Sequence, residues 1–201
     1  MRSQAQREIE IKLAVADLGS TARALRWLGF SVVARRCLEQ DTLYDTPGSE
    51  LRRRGCLLRL RRVGRRGWLT FKGPAAASRR YKIRPEWETE LRFPDIVALF
   101  FPPFGLRPVF RYEKFRTNFT AQGRFRSGAA LLDETPIGNF LELEGPARWI
   151  DRVARCLGAR RTDYIIKSYA ALYADWCRRR KRPVRNMVFA PAQLGRRKTA
   201  R

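Results

Sequence analysis

Charged residues recur at every second position in several short stretches of this sequence, and their types limit the chemistry they could perform. The first stretch reads REIEIKL at residues 7–13. Successive side chains of a strand point to opposite faces, so Glu8, Glu10 and Lys12 would share one face and the apolar residues the other. One such strand is typical of a solvated antiparallel sheet. The pattern returns in at least five later stretches. The sheet is therefore either heavily solvated or closed around a wet, charged interior.

The strand pattern places one acidic and one basic group of side chains on the charged face. The acidic group is Glu8, Glu10, Glu86, Glu88, Glu142 and Glu144, with Asp133 as a weaker candidate. The basic group is Lys12, Arg59, Arg61, Lys72, Lys114 and Arg116. Either group buried alone would be very costly. Dense carboxylates suit Mg²⁺ or Mn²⁺, and arginine and lysine suit phosphate oxygens. Together they indicate phosphoryl chemistry, in which a protein mainly positions phosphates and neutralises developing charge.

The composition excludes several kinds of site. The 201 residues include no histidine, which removes the usual general base, the commonest metal ligand and every Ser-His or Cys-His nucleophile. The four cysteines form no CxxC motif, which favours reduced structural thiols and a cytoplasmic protein. The net charge of +24 favours polyanionic partners.

The ends of the chain and its apolar runs predict neither a signal peptide nor a membrane span. The most apolar run, residues 96–104, is interrupted by Pro102 and Pro103 and is too short to cross a bilayer. Residues 178–201 carry ten Lys or Arg and no Asp or Glu. We therefore predict one domain over residues 1–177 and a basic tail over 178–201. This tail is either solvated or an electrostatic arm for polyphosphate or nucleic acid.

The remaining patterns predict the elements that would position the charged residues. Asp17 is a candidate helix cap and Gly29 a candidate helix stop, and residues 46–49 have turn composition. The predicted strands are residues 7–13, 40–45, 56–63, 68–72, 81–91, 109–119, 129–134 and 140–144. The predicted helices are residues 18–28, 94–101, 147–157 and 167–180.

Eight motifs in order resemble the CYTH domain family, the triphosphate tunnel metalloenzymes. They are the Glu8-x-Glu10-x-Lys12 signature, DTLYDT at 41–46, LRLR at 58–61, LTFK at 69–72, RPEWE at 84–88, EKFR at 113–116, FLELE at 140–144 and YIIKSY at 164–169. The resemblance covers about residues 7–177. A single ExExK motif is weak evidence, whereas seven further motifs in the right order make the likeness strong.

The resemblance implies a mainly β (α+β) fold, a closed eight-stranded antiparallel tunnel with a charged interior and helices packed outside. It implies that a triphosphate is bound by Lys12, Arg59, Arg61, Lys72, Lys114, Arg116 and Lys167. It also implies that Glu8, Glu10, Glu142 and Glu144 are the catalytic carboxylates and hold Mg²⁺ or Mn²⁺, with Glu86, Glu88 and the weaker Asp133 beside them. Only one of the adjacent carboxylates Asp133 and Glu134 can point inward. Glu90 continues the charged face beyond the Arg-x-Glu-x-Glu motif, so the register of this strand is ambiguous by two residues.

Three functions follow as expectations. The first is metal-dependent hydrolysis of a triphosphate, most plausibly inorganic tripolyphosphate, with thiamine triphosphate or a nucleoside triphosphate as alternatives. The second is a class IV-type adenylyl cyclase. That subgroup carries a His-Phe pair where this chain has Arg2 and Ser3, which counts against a cyclase. The third is non-catalytic binding of polyphosphate or RNA. The sequence leaves open whether the chain forms a homodimer.

Overall fold

The computed structural model describes residues 6–194, and its eight strands form one closed antiparallel barrel. The strands are β1 (Gln6–Val15), β2 (Phe30–Asp45), β3 (Leu57–Val63), β4 (Arg66–Lys72), β5 (Lys82–Leu91), β6 (Arg107–Ala121), β7 (Ala129–Thr135) and β8 (Gly138–Glu144). The helices are α1 (Leu18–Trp27), α2 (Glu50–Arg53), α3 (Pro94–Phe100), α4 (Ala147–Cys156) and α5 (Tyr169–Arg179). The predicted mainly β tunnel is confirmed.

Closure of the barrel depends on β1, which lies between β5 and β8 in the order β1-β5-β4-β3-β2-β6-β7-β8. Its register sets Glu10 opposite both Lys82 of β5 and Glu144 of β8. Lys12 lies opposite Glu142. Residues that are far apart in sequence therefore meet on the inner face of three neighbouring strands.

The apolar face of the barrel points outward and carries the main core. Ile11, Leu141 and Leu143 are fully or almost fully buried in one cluster with Ile150 and Val153 of α4. The inside is left to charged side chains, as the sequence alternation predicted. Among residues 6–194, no helix is long and apolar enough to cross a membrane.

Two elements differ from the predictions. The second strand covers Phe30–Asp45 rather than residues 40–45, because its register with β6 shifts at Val32/Ala34 and Ala34/Cys37. Such irregularities break the two-residue period that sequence reading relies on. The short helix Glu50–Arg53 was missed; Asp45 accepts hydrogen bonds from the amides of Leu51 and Arg52 at 2.9 and 3.0 Å, which fixes that turn.

Part of the predicted basic tail lies against the barrel. The Met187 amide donates to Arg111 O, and the Glu113 amide donates to Met187 O, both at 2.9 Å. The side chains of Met187 and Phe189 are buried, and the Phe189 ring lies 5.4 Å from that of Phe115. The basic residues 178–182 are exposed, as predicted, but the apolar positions that follow attach the chain to the outside of β6.

Candidate functional site

The barrel encloses a polar cavity of about 510 Å³. All predicted site residues of the strands reach it except Asp133. The lining residues are Glu8, Glu10, Lys12, Leu57, Arg59, Arg61, Lys72, Lys82, Arg84, Glu86, Trp87, Glu88, Tyr112, Lys114, Arg116, Glu142, Glu144, Ser168 and Tyr169. The alternating faces of six strands thus bring distant charges into one space.

Three carboxylates form an acidic triad on β1 and β8: Glu8, Glu10 and Glu144. One carboxylate oxygen from each lies within 4.8 Å of the others. Burial, together with repulsion from Glu142 and Glu10, raises the pKa of Glu144 to about 7. Burial and the charge of Glu10 also raise the pKa of Glu8. Burial opposes ionisation of Glu10 as well, but the ammonium groups of Lys12 and Lys82 outweigh it and lower the pKa of that carboxyl. Within the triad, Glu8 and Glu10 contact lysines, whereas burial and neighbouring carboxylates disfavour the ionised form of Glu144.

The cationic side chains of the cavity are already paired with carboxylates. Lys72 Nζ lies 2.6 Å from Glu8 Oε2 and 3.1 Å from Glu86 Oε2. Lys12 Nζ lies 3.0 Å from Glu142 Oε1, and Arg116 also pairs with Glu142. Glu86, Glu88 and Glu142 thus line the cavity as predicted, but each is held by a lysine or an arginine, and Glu88 pairs with Arg59. Glu8 and Glu10 are paired with lysines as well, but the carboxylate oxygens of the acidic triad lie within 4.8 Å of one another. This convergence makes the triad the better candidate metal site.

Beneath the cations lies a second acidic group, the buried carboxylate layer, made of Glu39, Asp41 and Asp133. Each member lies directly opposite a cation on the neighbouring strand. The opposed pairs are Glu39 with Lys114, Asp41 with Arg61, and Asp133 with Arg116. Arg61 Nε donates to Asp41 at 2.9 Å, and Arg116 donates to both oxygens of Asp133 at 2.6 Å. These carboxylates hold the cations in place from behind.

The structure places Asp133 away from the cavity surface that the resemblance implied for it. Its side chain is fully buried and lies outside the cavity lining. Its oxygens accept hydrogen bonds from Lys114 Nζ at 3.0 Å, from Arg116, and from Tyr169 Oη at 2.6 Å. These donors occupy the oxygens that a metal would need. Glu134 faces the other way and pairs with Arg36. Of the two adjacent carboxylates, Asp133 is therefore the one that points into the barrel, where it lies behind the cations that line the cavity.

Lys167 also departs from the prediction. Its Nζ lies 2.6 Å from Asp175 Oδ2 on the exposed side of α5, away from the cavity lining. The next two residues reach the cavity instead, because Ser168 caps α5 and Tyr169 turns inward. The Tyr169 ring centroid lies 5.1 Å from Nζ of both Lys12 and Lys114.

Sequence reasoning missed several residues of the site. Lys82 Nζ lies 2.5 Å from Glu10, and Arg84 donates to the carbonyls of Gly73 and Gly55 at 2.8 and 2.7 Å. Both share the two-residue period of Glu86 and Glu88, so extending that face toward the start of the strand would have found them. One guanidinium nitrogen of Arg61, Nη2, is buried without a hydrogen-bond partner among the described residues, and is a donor available to an anion.

Comparison with known proteins identifies relatives over most of the chain. The family model of the CYTH domain matches residues 6–155. A proposed adenylate cyclase of Methanocaldococcus jannaschii is 24% identical over 175 residues, which is 82% of this chain and 97% of that protein. The structure of a proposed adenylate cyclase of Vibrio parahaemolyticus has a TM-score of 0.73 at 22% identity, covering 85% of this chain and 99% of the other.

A third similar structure comes from Hippeastrum. It is the protein HpAC1, a proposed adenylyl cyclase described as revealing a dominant triphosphatase activity. Its TM-score is 0.62 at 16% identity, and the match covers 88% of this chain and 97% of HpAC1. At these identities the two structural matches establish a shared fold.

Proposed function

Because this chain belongs to the CYTH domain family, we propose that it hydrolyses a triphosphate in a divalent-metal-dependent reaction, with inorganic tripolyphosphate as the first candidate substrate. Proteins of this family bind triphosphates and divalent metal ions. The observation that carries the proposal is the division of one cavity into an acidic triad and a set of arginines and lysines held by buried carboxylates. A triphosphate with its counter-cation matches both parts.

The acidic triad fits Mg²⁺ or Mn²⁺. Glu8, Glu10 and Glu144 offer three oxygen ligands at close range. Burial, and after it repulsion between the carboxylates, raises the pKa values of Glu8 and Glu144, and a bound cation would favour their ionised forms. When bound, a divalent ion supplies positive charge to the phosphate oxygens and makes an attacking water more acidic. The other polar groups of the cavity bind and orient the substrate.

The cations opposite the triad would grip the phosphates. Arg59 and Arg61 present planar guanidinium groups that can contact two oxygens at once, and Arg61 has a buried nitrogen to spare. Lys72 would exchange the carboxylate of Glu8 for a phosphate oxygen as Glu8 turns to the metal, so substrate binding would keep the cavity close to charge balance.

A class IV-type cyclase is the second candidate, and two observations favour it. All three relatives described above are named as proposed adenylate or adenylyl cyclases. Trp87 lines the cavity with 37% of its surface exposed and could stack a base. Arg2 and Ser3, which stand where the cyclase subgroup has a His-Phe pair, lie outside the described residues.

The test is a product assay with tripolyphosphate, ATP and thiamine triphosphate, each with Mg²⁺ and with Mn²⁺. We expect metal-dependent release of orthophosphate, fastest from tripolyphosphate. Formation of cyclic AMP and pyrophosphate from ATP would show that the protein is a cyclase and not a hydrolase. Tight, salt-sensitive binding without any product would leave a polyphosphate binder.

An Arg59→Ala variant separates binding from chemistry in the same assay. Because it removes a two-oxygen contact, it should raise KM by roughly tenfold or more. A Glu10→Ala variant should instead abolish turnover while retaining part of the triphosphate affinity. Equal loss of binding from both variants would contradict the roles assigned to the two parts of the cavity.

A further inference from the structure

The outer surface of the barrel carries one unusually apolar area, on α3 and the turn that follows it. We call it the α3 patch. Its members are large apolar side chains that are between 53% and 75% exposed: Phe93, Ile96, Leu99, Phe100 and Phe104. Aromatic side chains present about 150–250 Å² each, so the three phenylalanines alone expose on the order of 400 Å². A patch of this size is comparable to the largest apolar patch of a typical monomer, and such patches are often functional.

The exposure of the α3 patch does not result from displacement of α3 from the barrel. The opposite face of α3 packs normally, because Val97, Ala98 and Phe101 belong to a cluster with Tyr44 and Leu60 of the barrel. The Tyr44 and Phe101 ring centroids are 4.4 Å apart. The helix is thus apolar on both faces, which is the pattern of a helix covered on both sides.

The start of α3 is fixed firmly to the β3–β4 hairpin. Pro94 lies so close to Gly67 that a Cβ atom there would come within 2.4 Å of the proline Cβ. Asp95 accepts from Arg62, with 2.7 Å between the charged atoms. The folded protein therefore presents the exposed residues on a fixed support.

The surroundings of the α3 patch are basic. Glu90 and Asp95 are each paired with an arginine, at 3.4 Å from Arg66 and 2.7 Å from Arg62. The guanidinium of Arg92 lies 5.3 Å from the ring of Phe93. Within residues 6–194, Arg92 and the hairpin residue Arg65 are exposed and have no carboxylate partner within salt-bridge distance. The partner of the patch must accept apolar side chains at its centre and positive charge at its rim.

This charge pattern argues against a second copy of the chain. A two-fold dimer through the α3 patch would place the same surface on both sides, arginine rim against arginine rim. The net charge of +24 adds long-range repulsion between copies. An anionic partner has the opposite preference.

We propose that the α3 patch docks this protein onto an anionic lipid surface. A bilayer interface offers acyl chains for the phenylalanines and leucine, and phosphate headgroups for Arg65 and Arg92 in the layer above. It needs no groove matched to the shape of the protruding side chains. The patch would lie on the membrane without crossing it. The proposal is independent of the reaction in the cavity.

Flotation with lipid vesicles tests this directly. The full chain is mixed with vesicles of phosphatidylcholine alone or with about one third phosphatidylglycerol. We expect flotation with the anionic vesicles only. A combined Leu99→Ser, Phe100→Ser and Phe104→Ser variant should lower the vesicle-bound fraction at least tenfold. The matched control, Trp27→Ser with Val33→Ser, removes exposed apolar residues elsewhere and should leave binding unchanged.

A charge comparison distinguishes the rim from the total charge. Arg65→Glu with Arg92→Glu should weaken vesicle binding severalfold more than Arg152→Glu with Arg155→Glu, exposed changes of equal charge on α4. Equal losses from the two pairs would overturn the proposal, because binding would then follow net charge alone. Absence of flotation with either vesicle would overturn it as well.

A conservative variant covers the case in which the serine variant does not fold. Phe104→Trp keeps the position apolar, and its fluorescence should be quenched by vesicles with brominated acyl chains beyond the quenching of the parent protein. Unchanged quenching would place the patch outside the bilayer. A parent protein that is dimeric by sedimentation and becomes monomeric in the serine variant would identify a second copy as the partner instead.

Discussion

Two groups of carboxylates lie inside one barrel and differ in what stands opposite them. In the acidic triad, Glu10 of β1 lies directly opposite Glu144 of β8, acid against acid. In the buried carboxylate layer, Asp133 lies directly opposite Arg116, acid against base. Like charges directly opposite destabilise a sheet, and opposite charges stabilise it. The layer therefore contributes to the stability of the barrel, whereas the facing carboxylates of the triad lower it and form the site that we propose for a cation.

The largest expected effect comes from removing one charge of the triad. Glu144→Gln keeps the size of the side chain, removes a metal ligand, and should lower turnover on the order of 10²–10³-fold or more. The measurement is phosphate release at saturating tripolyphosphate and Mn²⁺. The control is Glu90→Gln, which changes an exposed carboxylate of β5 that lies outside the cavity lining, and it should retain activity. Full activity of Glu144→Gln would contradict the assignment of the acidic triad, as opposed to the buried carboxylate layer, to the metal site.

The corresponding change in the buried carboxylate layer should act on stability. Asp133→Asn leaves Lys114 and Arg116 buried and short of negative charge, and should lower the free energy of unfolding by about 3 kcal/mol. Urea unfolding in the presence of a chelator measures it. Glu90→Gln, at an exposed acid with a surface ion pair, should change stability by less than about 0.5 kcal/mol. An Asp133→Asn protein as stable as the parent would mean that the layer does not support the fold.

The pH dependence of stability sharpens the comparison. Burial and the neighbouring carboxylates raise the pKa of Glu144 to about 7 in the folded chain, whereas the pKa of a free glutamate is 4.5. The folded state therefore binds more protons between these values, and the metal-free protein should lose stability as pH rises through this range. Glu144→Gln should remove the loss and be about 1–3 kcal/mol more stable than the parent at pH 8.5, with little difference near pH 4.5. Urea unfolding at both pH values decides it; a parent protein that gains stability over this range relative to the variant would contradict the charge arrangement.

The smallest effect is expected at a surface ion pair. Lys167 pairs with Asp175 in solvent, so Lys167→Ala should change KM for tripolyphosphate by less than about twofold. Lys72→Ala, inside the cavity, should raise it by roughly tenfold or more. Steady-state kinetics of the two variants measure the change in KM. Equal increases in KM would indicate that Lys167 contributes to triphosphate binding as Lys72 does.

The sequence predicts the strand faces well because their alternation has a period of two. Alternation alone left an open, solvated sheet as an alternative, and closure of the barrel was predicted from the family resemblance. REIEIKL and FLELE alternate without interruption, so the inner positions of β1 and β8 were predictable. The alternation breaks where β2 contains register shifts, and most of its length, including Glu39, was missed. A local pattern cannot report an irregularity whose cause is pairing with β6, a strand about 80 residues away.

The roles of the inner carboxylates were harder to predict than their positions. Alternation gives the face of Asp133 but not the residue opposite it, and that residue, Arg116, lies on the neighbouring strand and pairs with the Asp133 carboxylate. Lys167 lies where a loop becomes a helix, so no period fixes its direction. Its neighbour Tyr169 points inward because its ring packs between Tyr112 and Phe140, a contact that exists only in the folded chain.

The position of β1 has a consequence for how the protein folds. The first strand of the chain closes the barrel against β8, and the amide of Lys12 donates to Ile165 O at 2.8 Å. The ribosome must therefore add about 150 residues after β1 before this strand has all its partners. Contacts of such long sequence separation make folding slow, and during this wait the outward apolar face of β1 is uncovered. The charged inner face of β1 makes it a poor template for pairing with other chains, so the same glutamates that prepare the cavity also protect the unfinished barrel from aggregation.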